Sequence, residues 1–288
     1  MRGMTSEPQQ PPREQTNDEA IEEAAALLAR SHHVVALAGA GMSQESGIPT
    51  FRGNGGLWTT NGEPPMNQFQ TFAADPLRWW QRRLEEPPGD FANAIDAAQP
   101  NPGHYALVDL ESMGVLKHLI AQNVDDLHRR AGQKSITEIH GNRHWMRCMT
   151  CGLRWPRLEF PVDPDDLPPR CADDDCHGVV KSDTVMFGEP IPGRALNRCA
   201  EETWLTDCFL TVGTSSVVYP AAGFPVDAVS RGIPLIEVNP EQTPLTEFAT
   251  IVVRLPSGDA LPKIVQAMRR LLAANREAPE SREGDARA

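Results

Sequence analysis

The chain has 288 residues, 40% of them hydrophobic, and a formal net charge of −12 from 27 Lys and Arg against 39 Asp and Glu. That length supports one large domain, or one with a small insert, and the acidic balance argues against direct binding to nucleic acid or to an anionic membrane. No apolar run approaches the ~20 residues that span a bilayer, the N-terminus is polar and no signal peptide, and six cysteines do not make a secreted disulfide scaffold, so the chain is expected to be cytoplasmic.

Residues 1–16 and 276–288 are charged or Pro/Gln-rich with almost no apolar period, which predicts disordered tails. Residues 18–30 place Ile21, Ala24, Ala25 and Leu28 at helical spacing. Residues 34–38 form a short apolar strand that runs into Gly39-Ala40-Gly41. Residues 54–102 are rich in Trp, Pro, Gln and Gly, with a helical segment near 76–84. A second strand is expected at 115–121. Residues 141–181 then hold four of the six cysteines and a Pro-rich stretch. Further buried strands are expected at 208–212, 234–238 and 250–255, with helices at 222–230 and 261–273. Strands alternating with helices predict an α/β fold with a parallel sheet. The two stretches that break the alternation read as insertions that can meet as one small lobe.

The glycine loop comes first among the motifs. A strand ending in Gly39-x-Gly41 lets the backbone turn tightly and approach a pyrophosphate, with the next helix N-terminus offering N–H groups. The next glycine is Gly47, so the spacing is not G-x-G-x-x-G, and a glycine turn that only packs strand on helix has the same pattern. Ser43 and Ser46 either offer hydroxyls to phosphates or cap the helix. Gln122, Asn123 and Asp125 follow the second strand, at the carboxyl edge where open α/β sheets bind ligands. Each can hydrogen-bond a carboxamide or a ribose hydroxyl, or simply form a turn. His140, before Gly141 and the cysteine-rich insert, can accept a proton near neutral pH.

Cys148 and Cys151 form C-x2-C; after a gap of 19 residues Cys171 and Cys176 form C-x4-C. Paired short spacings suit a tetrahedral Zn²⁺ held by four thiolates. A redox C-x-x-C is expected to stand alone at a helix start, and here a second pair follows. Four thiolates leave no open position for water, so the zinc is expected to be structural. His177 is an alternative ligand, and Cys199 and Cys208 read as small buried hydrophobes.

Several motifs, in this order along the chain, resemble the sirtuin (Sir2-like) family of NAD-dependent protein deacylases. They are Gly39-Ala40-Gly41-x-Ser43-x-x-Ser46-Gly47-Ile48-Pro49-x-Phe51-Arg52, Gln122-Asn123-Val124-Asp125-x-Leu127-His128 and His140-Gly141-Asn142. The paired cysteines, Phe187-Gly188-Glu189, Gly213-Thr214-Ser215 and Glu237-Val238-Asn239 complete the set. The resemblance runs from about residue 34 to 265. It implies a Rossmann-like NAD-binding domain from residues 17–53, 103–140 and 182–275. It also implies a small lobe made of a helical module (54–102) and a zinc module (141–181). NAD⁺ and an acyl-lysine protein substrate are implied to meet in the cleft between them. Gly39, Ala40, Gly41, Ser43, Arg52 and Gln122 would line the NAD⁺ site. Phe51 would shield the nicotinamide–ribose bond, and Ile48, Asn123 and Asp125 would hold the nicotinamide. Gly213, Thr214, Ser215 and Asn239 would bind phosphate and adenosine, with Asp259 and Ala260 at the adenine edge. A strand at Phe187, Gly188 and Glu189 would pair with the substrate backbone, and His140 would be the general base.

The implied products are nicotinamide, O-acyl-ADP-ribose and free lysine. The second cysteine pair is longer than the family's usual C-x2-C, and Ala121 stands where Thr is usual. The helical module has no Tyr-x-x-Arg pair of the kind that marks a preference for acidic acyl groups. A protein mono-ADP-ribosyltransferase on the same scaffold is the alternative enzyme. A zinc-ribbon module on a degenerate nucleotide fold is the non-enzyme alternative, and it has no need of His140, Asn123 and Asp125 together. Oligomeric state is left open.

Overall fold

A computed structural model describes residues 16–53 and 55–277. The expected tails lie outside the described residues except at their inner ends. Thr16 caps the first helix through a capping box with Glu19, and the last helix runs to Glu277.

In chain order the elements begin with α1 (Asn17–Arg30), β1 (Val34–Ala38), α2 (Leu57–Asn61), α3 (Gln68–Ala74), α4 (Pro76–Glu85) and α5 (Asp90–Ala97). Then come α6 (Pro102–Ser112), β2 (Leu116–Ala121), α7 (Leu127–Ala131), β3 (Ile136–Glu138), β4 (Trp145–Cys148), β5 (Arg154–Pro156) and β6 (Val180–Ser182). The chain closes with α8 (Gly193–Leu205), β7 (Cys208–Val212), α9 (Gly223–Ser230), β8 (Leu235–Val238), β9 (Ile251–Val253) and α10 (Ser257–Glu277).

Six strands form one sheet in the order β3-β2-β1-β7-β8-β9, and every pairing is parallel. The chain builds outward from β1 in one direction, then returns and builds outward in the other. This is the doubly wound, Rossmann-type order, and it creates a crevice between β1 and β7 at their carboxyl ends. β1 and β7 are buried along their whole length. Helices on both faces explain why both read as continuous apolar runs rather than alternating ones. One face packs α1, α6 and α10 through Leu28, Leu107 and Ile264; the other packs α8 and α9 through Cys199 and Ala228.

A second sheet, β5-β4-β6, is antiparallel and carries the cysteines. Helix α4 leans on it. Trp80 is buried in the same apolar cluster as Met146, Cys148, Cys171 and Val180, and its indole N–H donates to the Val180 carbonyl at 3.1 Å. No helix among the described residues is long and apolar enough to cross a membrane.

The core also holds three histidines that burial keeps neutral. Burial is the largest influence on each, bringing His104 to about 3 and His118 and His128 to about 4. Above pH 6.5 they are uncharged whether the chain is folded or not. Below it the unfolded chain takes up protons that the folded chain refuses until about pH 4. Stability is therefore fully present above pH 6.5 and is lost as pH falls towards 4, by up to ~1.4 kcal/mol per pH unit for each histidine. Thermal melting is expected to give a clearly lower Tm at pH 5 than at pH 7; an equal or higher Tm at pH 5 contradicts this.

Candidate active site

Three strand ends converge at the crevice. After β1 the chain passes Gly39 and enters a 3₁₀ helix, Ala40–Ser46, closed by Gly47 at φ +88°. The sequence predicts an α-helix N-terminus here. The tighter helix arises because Gly41 must lie directly on the loop that leaves β7. The Gly41 N–H donates to the Gly213 carbonyl at 2.8 Å. A Cβ at Gly213, itself at φ +54°, would meet the Met42 nitrogen at 2.5 Å. Only glycine allows this interlock, and it leaves bare backbone on the crevice floor.

The third strand end, after β2, supplies the polar side chains. Asn123 donates to the Gly39 carbonyl at 3.0 Å and to Ser43 Oγ at 2.9 Å. Ser43 in turn donates to Asp125 Oδ2 at 2.6 Å, and Asp125 Oδ1 accepts from the Leu127 N–H. Gln122 donates to Thr214 Oγ1 at 2.8 Å, and Asn239 to the Thr214 carbonyl at 2.9 Å. The loops are thus tied to one another by the side chains the sequence singles out.

His140 closes this set. Its Nδ1 lies 3.0 Å from the Gln122 carbonyl. A carbonyl only accepts, so Nδ1 carries the proton and Nε2 is left with a free lone pair. Burial lowers the His140 pKa, against the opposing pull of the Gln122 carbonyl. The imidazole is therefore neutral, and competent as a base, at pH 7.

One cleft of about 820 Å³ gathers these groups. Gly39, Ala40, Gly41, Ser43, Ile48, Phe51, Arg52, Gln122, Asn123, Asp125 and His140 line it. So do Phe187, Gly188, Glu189, Gly213, Thr214, Ser215 and Asn239. Asp259 and Ala260 do not. Helix α10 begins at Ser257, which turns Ala260 into the core and leaves Asp259 exposed; Pro256 and Ser257 line the cleft instead. The expected strand at Phe187–Glu189 is a turn. The Phe69 N–H donates to the Phe187 carbonyl, Gln70 Nε2 donates to the Gly188 carbonyl, and Glu189 folds inward.

Sequence reasoning missed Trp58, Phe91 and Ile95, which line the cleft. Phe51 packs between the tilted rings of Trp58 and Phe91, with centroids 4.7 and 5.1 Å away. The signal was present: Phe91 and Ile95 sit one helical turn apart on α5.

The four cysteine sulfurs lie within 4.8 Å of one another. Cys148 and Cys176 are 3.6 Å apart, as are Cys151 and Cys171. Tetrahedral zinc at ~2.3 Å from each sulfur requires sulfurs ~3.8 Å apart, so the set suits Zn²⁺ once the wider-spaced sulfurs close in by up to about 1 Å. Burial opposes ionisation of Cys148, but the Cys151 and Thr150 amides aimed at its sulfur outweigh it and bring the thiol to about 7. His177 stands outside the cluster. Cys199 and Cys208 are buried thiols that burial pushes up to about 12, where they are inert.

The crevice, its polar set and the cysteine sheet find their match among known proteins. The family model described as the Sir2 family matches residues 39–220. A curated relative named NAD-dependent protein deacylase 2, from Pyrobaculum aerophilum, is 41% identical over 249 residues, covering 85% of this chain and 95% of its own. The crystal structure of a Sir2 homolog–NAD complex superposes with a TM-score of 0.69 at 38% identity, covering 87% of this chain and 94% of that one. The structure of Sir2Af2 bound to a myristoylated histone peptide superposes with a TM-score of 0.65 at 33% identity, covering 89% and 99%. With the family model matching residues 39–220 and a 41% identical relative covering 85% of the chain, the chain belongs to the Sir2 family.

Proposed function

We propose that the protein is an NAD-dependent protein-lysine deacylase, releasing nicotinamide, O-acyl-ADP-ribose and free lysine. The observation that carries this reading is His140. Its Nε2 is free and its Nδ1 anchored, in the same cleft as the Ser43–Asn123–Asp125 chain and the Phe187–Gly188 turn.

Gly39, Gly41 and Gly213, whose own amides are bonded to backbone carbonyls, leave room for the diphosphate to approach the backbone of Ala40, Thr214 and Ser215, while Asn239 receives the adenosine ribose, and Gln122 and Arg52 the remaining polar edge. Asn123, Asp125 and Ile48 hold the nicotinamide carboxamide, and Phe51 covers it against water. Bound NAD⁺ supplies an electrophilic ribose carbon with nicotinamide as its leaving group. His140 Nε2 takes a proton from a ribose hydroxyl, which frees that oxygen for acyl transfer. The amides of Phe187 and Gly188 have no partner within the chain among the described residues, and they meet the peptide backbone. Zn²⁺ on Cys148, Cys151, Cys171 and Cys176 stays remote from the chemistry and holds the small sheet together.

The test is mass spectrometry of purified protein with NAD⁺ and an acyl-lysine peptide. Loss of the acyl group together with nicotinamide release supports the reading. ADP-ribose appearing on protein without any acyl-lysine replaces it with mono-ADP-ribosyl transfer.

The cleft also bears on the acyl group. Arg52 is the one guanidinium or ammonium group among the described lining residues. It is already engaged, 2.6 Å from Glu63 and over the Trp58 ring. On α4, Arg82 pairs with Glu86 at the surface, and neither Arg82 nor Arg83 lines the cleft. A dicarboxylic acyl chain would bury an unpaired carboxylate. Acetyl- or longer neutral acyl-lysine is therefore expected to exceed succinyl-lysine in kcat/KM by about tenfold or more, the cost of one poorly compensated buried charge. Equal turnover of a succinyl peptide contradicts this. Acidic surface charge and the four-thiolate site fit a reducing cytoplasm and protein substrates rather than nucleic acid.

A further inference from the structure

Beneath the peptide turn lies a set of buried charges. Lys181, on β6, is 0% exposed and Glu189 1%. The three protons of Lys181 Nζ match three acceptors: the Ser182 carbonyl at 3.0 Å, the Thr184 carbonyl at 2.7 Å and Glu189 Oε2 at 2.9 Å. Glu189 Oε2 also accepts from the Met186 N–H at 2.9 Å, while Oε1 meets Arg147 at 2.5 Å. Arg147, on β4, bonds Asp183 at 2.8 Å, and Asp183 also takes Arg154 from β5 at 2.6 Å. All three strands of the cysteine sheet therefore send a cation into one cluster.

That cluster fixes the backbone on both sides of the turn. Lys181 grips the carbonyls of residues 182 and 184, and Glu189 grips the amide of residue 186. Between them the Val185 N–H donates to the His140 carbonyl at 2.8 Å. Each buried charge is satisfied only while the turn keeps this shape.

We infer that Lys181, acting with Glu189, is a positioning residue that shapes the Val185–Gly188 turn to receive the acyl-peptide backbone. This rests on the deacylase reading. Lys181 touches neither the peptide nor NAD⁺; it links the zinc sheet to the peptide wall of the cleft. Its loss should weaken peptide use selectively, because the groups expected to hold NAD⁺ lie on the loops that follow β1, β2, β7 and β8.

The experiment is steady-state kinetics of zinc-loaded Lys181→Met, Lys181→Arg and the double variant Lys181→Met/Glu189→Gln. The double variant removes both charges of the pair, so neither is left alone in the core. The expected result for Lys181→Met and the double variant is a peptide KM raised by about tenfold to a hundredfold, the scale of a misplaced binding wall. The KM for NAD⁺ should stay within about twofold at full zinc content, and Lys181→Arg should recover most of the peptide affinity. An unchanged peptide KM overturns the inference. So does a parallel rise in both KM values, or loss of zinc and fold in both Met-containing variants, since the cluster is then only structural. Wild-type protein that deacylates nothing would instead overturn the deacylase reading.

Discussion

Replacing His140 with Ala is expected to lower kcat/KM for an acyl peptide by about 10²- to 10⁴-fold, the usual contribution of a positioned general base. Tm and NAD⁺ binding should stay near wild type. The imidazole is partly exposed to the cleft and among the described residues it hydrogen-bonds only the Gln122 carbonyl, so truncation leaves no buried charge behind. The same geometry sets the pH profile. Burial holds the His140 pKa below its ordinary value, so the neutral base persists through pH 7 and activity is lost only on acidification below about 6.5. Steady-state rates of both proteins from pH 5 to 8 check this. A His140→Ala variant that behaves like wild type, or a profile that falls above pH 7, contradicts the assignment.

Removing zinc is expected to be as damaging by a different route. The cysteine sheet has three short strands, and its apolar cluster is small. Too little surface is buried there to hold such a unit without the metal, whose binding energy in small zinc modules is of the order of 10 kcal/mol. Chelation, or Cys148→Ser, should release the ion and unfold β4–β6 in one step. Trp80 and Trp155 pack in that cluster, so near-ultraviolet circular dichroism should report the change. Activity should vanish with it, because Arg147, Arg154 and Lys181 hang on the same strands. The six-stranded sheet has its own core and should retain most helical signal. Full activity after complete zinc removal contradicts a structural role.

How much of this was legible in the sequence depended on range. Strands β1 and β7 sit where their apolar runs predict, because strands covered on both faces carry no competing pattern. β3 was missed: three residues at a sheet edge make too short a signal. α6 was readable and overlooked, since Asn101 caps it and Pro102 opens it. The cleft residues were legible as ordered motifs, and the cysteines by spacing. The turn at Phe187 was not. The resemblance implies a strand at Phe187–Glu189, whereas the Phe69 N–H and Gln70 Nε2 hold the Phe187 and Gly188 carbonyls in a turn. Nothing in the sequence marks Lys181 as buried: two of its acceptors are local carbonyls, but Glu189 lies beyond the turn and the two arginines beside it come from other strands. The contact between the tilted rings of His104 and His128, with centroids 4.7 Å apart, is invisible for the same reason.

The central claim is that one cleft joins NAD⁺ cleavage to removal of an acyl group from lysine. The most direct measurement is the product balance of a single reaction with NAD⁺ and an acetyl-lysine peptide. Nicotinamide, O-acetyl-ADP-ribose and free-lysine peptide are predicted to form in a 1:1:1 ratio, with nothing released when either substrate is left out. Nicotinamide release that proceeds without the acyl peptide, or deacetylation that proceeds without NAD⁺, would contradict it.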